Sequence, residues 1–476
     1  MTPKGKRTRT EKDSLGKVIL PEDVYFGAQT KRAVNNFQIS GLRLRRDFIK
    51  AQGMVKLAAA RANSALGVLD KRTAKAIEKA SSEVIRGRHD KDFVVDVFQA
   101  GAGTSQNMNV NEVIANRAIE ILGSKKGDYS IVHPNDHVNM AQSTNDTIPS
   151  AMYISAFEAV KLGLLPELEL LRTGLSRKAG EFGGIVKAGR THMQDAVPIT
   201  LGQEFSGYAE AVQNDMLRIQ KASDSLMGLP IGGNAAGTGI NAHPGFRSSV
   251  IREIRKITGV KFRSSGNLFE GIQNVNPALE MSSCLRGVSV TLIKIANDIR
   301  LLSSGPRTGF AEITLPAVQP GSSIMPGKVN PVMAEMLNMV CFQVMGNDTA
   351  VAYAAQASQL ELNVMMPLIA YNLLFSIEIL KNGVRAFTAK CVKGIKADAG
   401  RCRELAEATL ALATALNPVI GYSKAAEVAR EAYRTGRTVQ QVVVGKGILR
   451  EKEAKRLLDP MRLTGEKSSG RKKSKI

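Results

Sequence analysis

The chain has 476 residues, 43% of them hydrophobic, and a formal net charge of +22. That apolar content supplies a sizeable core and excludes a largely disordered chain, while the length admits two to four domains. The positive charge raises a nucleic-acid partner, but the densest Lys/Arg runs lie at the two ends and neither zinc-finger spacing nor an RNA-binding aromatic motif occurs, so attraction of small dianions is the simpler use of the field.

In chain order, residues 1–10 read as a disordered basic arm, with no apolar stretch behind them to make a secretory signal. Residues 18–36 carry Pro21 and Gly27 and read as irregular or short extended structure. Helical periodicity begins near Phe48, runs through Leu57-Ala58-Ala59-Ala60 and resumes over 74–84. Ala100-Gly101-Ala102-Gly103 is a small-residue turn, and Thr104 and Ser105 can cap the helix after it. Long apolar helical patterns follow at 151–182, 205–226, 285–302, 332–355 and 366–387, and no apolar run is long enough to span a membrane. Such stripes bury against other helices, which predicts an all-α fold around a bundle of about five long helices. The expected division is an N-terminal helical domain at 11–145, a central bundle at 146–397, a small helical domain at 398–464 and a disordered basic tail at 465–476.

Gly232-Gly233-Asn234-Ala235-Ala236-Gly237-Thr238-Gly239 has no strand pattern before it and no P-loop lysine after it, so it reads as a tight turn between bundle helices rather than a nucleotide loop. Cys284, Cys341, Cys391 and Cys402 lack close spacing to one another or to His. They read as reduced, buried thiols of a cytoplasmic protein. His89, His137 and His243 show no ligand spacing, so no metal or other cofactor is expected.

Gly321-Ser322-Ser323-Ile324-Met325-Pro326-Gly327-Lys328-Val329-Asn330-Pro331 is a loop by composition, with two hydroxyls, a cation and an amide able to close over a small anion. It resembles the signature loop of the fumarase/aspartase superfamily. The likeness extends, in family order, over Gly101-Ala102-Gly103-Thr104-Ser105, His133-Pro134-Asn135-Asp136, Gln142-Ser143-Thr144-Asn145-Asp146, Gly189-Arg190-Thr191-His192-Met193-Gln194-Asp195 and Glu361-Leu362-Asn363-Val364.

The resemblance implies a lyase that forms fumarate from a C4 dicarboxylate by reversible anti-elimination. Removing a proton beta to the leaving group makes a dianionic, enolate-like carboxylate, which requires a base on one face and many preorganised donors. By resemblance Ser322 is the base, Thr104, Ser143, Thr144 and Ser323 hold the carboxylate beside the acidic carbon, and Lys328 and Asn330 anchor the other. Thr191, His192 and Asn145 face the leaving group, and Glu335 pairs with His192. His133, Asn135 and Asp136 match a secondary dicarboxylate site of fumarases. The family pattern also implies a homotetramer with each site built from three subunits, a small-molecule dicarboxylate substrate, and neither nucleic acid nor membrane as partner.

The leaving group is the finer question. Ala102, Ser105, Thr144, Val332 and Leu362-Asn363-Val364-Met365 resemble aspartases, which release ammonia from L-aspartate. His133 and His192 are standard in fumarases, which release water from L-malate. Met366 departs from both patterns. A non-enzymatic scaffold is the remaining alternative, and the intact Ser322, Lys328, Asn330 and His192 argue against it.

Overall fold

A computed structural model describes residues 7–465. The fold is all-α with a few short paired strands. Five helices are long: Thr144–Glu181, Leu201–Ser225, Asn276–Leu302, Val332–Gln356 and Met366–Lys390. They fall on the five stretches with helical apolar spacing, and the spaced residues are the buried ones: Phe205, Val212 and Ile219 in one helix, Leu285, Leu292 and Ile299 in another. Each such side chain, fully buried, contributes roughly 1.5–3 kcal/mol before the entropy of ordering is subtracted. Thr144–Glu181 is, by length and composition, apolar enough to cross a membrane, contrary to the sequence reading; 72% of its apolar window is buried inside the protein, as in a core helix.

The chain divides into two compact units, neither contiguous in sequence. One comprises Met1–Pro166, Asp215–Ser289 and Val340–Lys381, the other Glu167–Asn214, Val290–Met339 and Asn382–Ile476.

In the first unit, Thr8–Asp13 pairs antiparallel with Gly16–Pro21. The expected disordered arm therefore ends sooner than residue 10, since Thr8 to Thr10 are already strand; its residues 1–6, like 466–476 of the expected tail, lie outside the described residues. The reason is Arg9, whose guanidinium donates to the carbonyls of Pro21, Val24 and Phe26 and pairs with Glu11 at 2.8 Å. Glu11 in turn accepts from the Tyr129 hydroxyl at 2.6 Å. Gly27 sits against this pair: a Cβ there would lie 2.5 Å from Glu11 Oε2 and from the Tyr129 oxygen. Helices Arg46–Ala65, Lys71–Ile85 and Thr104–Ile121 complete the layer, with Ile77, Val84, Val110, Val113 and Ile114 in its core.

In the second unit, Val186–Thr191 and Gln194–Thr200 form an antiparallel hairpin that helical periodicity did not announce. Helices after Leu410 enclose a core of their own, including Leu416, Val428, Val439, Val443 and Leu458. The four thiols are free; Cys341, Cys391 and Cys402 are buried, but Cys284 is only half-buried. The Gly232–Gly239 turn precedes the short helix Phe246–Thr258, so it does not join two long helices directly as the sequence suggested.

Candidate active site

Thr104, Ser143, Thr144 and Asn145 belong to the first unit; Thr191, His192, Ser322, Ser323, Lys328, Asn330 and Glu335 belong to the second.

In the first unit two helix N-termini lie side by side. Gly101–Gly103 turns sharply, with Ala102 at φ 59° and Gly103 at φ 88°, and the Ala102 N–H donates to the Val364 carbonyl at 3.1 Å. Gly101 has no alternative, because a Cβ would lie 2.8 Å from that carbonyl oxygen. Thr104 then opens its helix with its side chain exposed. One turn on, Asn107 Nδ2 donates to Thr144 Oγ1 at 3.2 Å, joining this helix to the next. Ser143 caps that second helix, its hydroxyl accepting from the Asn145 N–H, while Asp146 Oδ1 accepts from the Ser143 N–H at 3.0 Å. Two helix N-termini bring partial positive charge and free N–H groups to one place, which suits a carboxylate.

Beneath them is a buried polar layer. Lys56, almost fully enclosed, donates to Asn139 Oδ1 at 2.8 Å and Gln142 Oε1 at 3.1 Å. Burial pushes its ammonium down to about 7 and the nearby Asp146 carboxyl up to about 7, each opposed by the charge of the other. Three backbone N–H groups donate to Asp146, which favours its carboxylate form against the cost of burial. Sequence reading passed over Lys56, although a lysine within Met54-Val55-Lys56-Leu57-Ala58 was the available signal.

In the second unit, His192 and Met193 form the two-residue turn of the hairpin, at φ 56° and 60°, between Thr191 and Gln194. This is the tight turn whose twist matches paired strands. It leaves Thr191 and His192 exposed. Just below, Arg190 Nη1 lies 3.0 Å from both oxygens of Glu312, which is fully buried, and Lys187 Nζ is 3.2 Å from the same carboxylate. The guanidinium also rests over the Phe310 ring at 4.1 Å. No local pattern marks Glu312 in the sequence, because its partners are more than a hundred residues away.

The Gly321 loop is closed at its base: the Gly321 N–H donates to the Lys328 carbonyl at 2.8 Å, and Asn330 Nδ2 donates to the Gly321 carbonyl at 2.5 Å. Asn330 thus spends one of its two amide N–H groups on the loop itself. Ser322 Oγ accepts from the Met325 N–H at 2.9 Å and the Ile324 N–H at 3.2 Å. Ser323 and Lys328 are exposed, and Lys328 makes no ion pair among the described residues. Glu335 stands in the first turn of Val332–Gln356, and within one chain no ion pair joins it to His192.

His133 caps the turn Pro134–Val138, its Nδ1 accepting from the N–H groups of Asn135 and Asp136 at 3.2 Å. His133 and Asn135 also line a cavity of about 410 Å³ with Lys12, Asp13, Gln29, Glu112 and Tyr129, and Asp136 is not in the lining. Two carboxylates in that wall oppose a dianion unless they are paired or protonated. Arg32 pairs with Asp13 at 2.7 Å, and burial pushes Glu112 up to about 7 despite the N–H groups of Gly27, Gln29 and Thr30.

An all-α chain with polar loops of this kind, one presenting a serine oxygen to two backbone N–H groups, has the parts of a lyase acting on small carboxylates. The comparisons agree: residues 16–346 match the Lyase family model and residues 412–465 the Fumarase C C-terminus model. An aspartate ammonia-lyase of Bacillus sp is 47% identical over 98% of this chain and 99% of its own length. A class II fumarate hydratase of Halobacterium salinarum is 51% identical over 96% of this chain and 97% of its own. The crystal structure of a fumarate lyase:delta crystallin from Brucella melitensis superposes with a TM-score of 0.94 at 47% identity, covering 97% of this chain and 100% of that one. The chain belongs to the fumarase/aspartase superfamily of lyases. Within it the relatives divide between ammonia-releasing and water-releasing names.

Proposed function

We propose that this enzyme is an aspartate ammonia-lyase, converting L-aspartate reversibly to fumarate and ammonia. The observation that carries the choice is the polar inventory around the two helix N-termini. Ala102 brings no hydroxyl to the first, and the Thr144 hydroxyl on the second accepts from Asn107, has a methyl beside it and keeps its one O–H for the carboxylate. Fewer groups remain to organise a leaving water, which needs a proton donor, whereas an ammonium group departs as neutral ammonia without one.

Ser322, as its alkoxide, takes a proton from the carbon next to one carboxylate. The negative charge passes into that carboxylate, the C–N bond breaks with its electron pair leaving on ammonia, and the double bond of fumarate forms. The two N–H groups donating to Ser322 Oγ support this role, since they stabilise the ionised oxygen. Thr104, Ser143, Thr144 and Ser323 hold the charged carboxylate, Lys328 and Asn330 the distal one, and Thr191, His192 and Asn145 surround the amine. A homotetramer, with each site drawn from three subunits, is part of the proposal, and the pairing of Glu335 with His192 belongs to that assembly.

The second reading, a class II fumarate hydratase, is favoured by the 51% identity to a relative of that name. Fumarate absorbs in the ultraviolet, so purified protein given L-aspartate or L-malate separately decides the matter. Faster fumarate formation from L-aspartate is the expected result, and a clear preference for L-malate overturns the choice of leaving group.

A further inference from the structure

Asn145 Nδ2 donates to the Ala235 carbonyl at 2.7 Å. An amide can meet a carbonyl only with its NH₂ group, so this bond fixes which way round the side chain stands. Its Oδ1, which accepts from no group among the described residues, is left as the end offered to a ligand.

The turn carrying Ala235 is itself fixed. Asp146, fully buried, accepts from the Ser143 N–H with one oxygen and, with the other, from the N–H groups of Gly232 at 3.0 Å and Asn234 at 2.9 Å. Asn234 stands at φ 57° and ties the far side of the turn with an Nδ2 bond to the Ile240 carbonyl at 2.7 Å. One carboxylate therefore joins the N-terminus of the helix from Thr144 to a turn nearly ninety residues later in sequence.

We infer that Asp146 is a positioning residue that pins the Gly232–Ala235 turn so that Asn145 offers the departing group a hydrogen-bond acceptor rather than a donor. This rests on the assignment of Asn145 to the leaving group. It specifies the class of leaving group the enzyme takes: one carrying N–H or O–H, held by accepting its hydrogen. Succinate, which keeps both carboxylates and has no leaving group, does not use this contact.

The test compares wild type, Asp146→Asn and Asn234→Gly for fumarate formation from L-aspartate and for inhibition by succinate. Asn in place of Asp146 turns an NH₂ group toward N–H donors and releases the turn, whereas Asn234→Gly tolerates the left-handed φ and removes only the outer tie. Asp146→Asn is expected to lower kcat/KM about thirtyfold, and Asn234→Gly about fivefold, with the succinate inhibition constant of both within about threefold of wild type. If Asp146→Asn fails to fold, the same two readouts on Asn234→Gly decide. A kcat/KM within threefold of wild type overturns the inference, as does a loss matched by equally weakened succinate binding, which is what a merely structural role produces. Wild type that prefers L-malate overturns only the choice of ammonia, and the comparison is then read with L-malate, whose hydroxyl is also a donor. Wild type inert with both substrates overturns the proposed function and this inference together.

Discussion

Ser322 is a weak base in water, and its two N–H partners are what the loop adds. Ser322→Ala should lower turnover by at least about a thousandfold with the helical content unchanged, as expected for a group used only in the proton transfer; activity within tenfold of wild type, by fumarate absorbance, removes Ser322 from the role. Glu83 shows residue-scale electrostatics away from the site. It is buried, and hydrogen bonds from Arg117, together with His89, hold its carboxyl down at about 2. A carboxyl with a depressed folded pKa adds stability that is present above its ordinary value of 4.5 and lost as pH falls through about 2. Glu83→Gln should therefore cost up to about 3 kcal/mol at neutral pH and much less near pH 2, so the two denaturation curves converge in acid. A gap that stays constant between pH 5 and pH 2 contradicts the ion pair.

At the scale of elements, Gly27 is where a helix start, a hairpin and a tyrosine meet. Gly27→Ala would push a methyl into Glu11 and Tyr129. It should lower stability by about 1–3 kcal/mol, read as an earlier midpoint in urea. The long helices were legible in the sequence because their apolar spacing is a property of single segments. So was the loop from Gly321 to Pro331, whose glycines, prolines and polar residues are consecutive. The hairpin bearing His192 was not, since strands of six and seven residues with a bulge at Gly189 carry little alternation. Glu312 and the Asp146 link were hidden for another reason: each acts through partners brought near only by the folded chain. Arg9 was misjudged because its positive charge read as solvated, when the carbonyls of Pro21, Val24 and Phe26 surround it.

For the whole molecule, the charge of +22 and the proposed tetramer lead to separate expectations. A net positive field attracts a substrate of net negative charge and is screened by salt. Raising sodium chloride from about 20 mM to about 300 mM should raise KM for L-aspartate severalfold while changing kcat little. If each site is drawn from several subunits, chains carrying Ser322→Ala and chains carrying His192→Ala should be inactive separately. Denatured together and refolded, they should recover part of wild-type activity, because some mixed sites receive neither substitution. No recovery, with mixed oligomers shown to form, would place both groups in the same subunit's contribution.

The burial of the cysteines offers a way to follow this protein without any assay of turnover. Cys341, Cys391 and Cys402 are enclosed and their thiols are pushed up to about 12, so almost none is thiolate at neutral pH. An alkylating reagent should consequently find no more than one reactive sulfur per chain, that of half-buried Cys284. The other three become available only when the segments around them open. The mass added by a brief pulse of reagent then counts how many of those segments have come apart, chain by chain, during heating or denaturation.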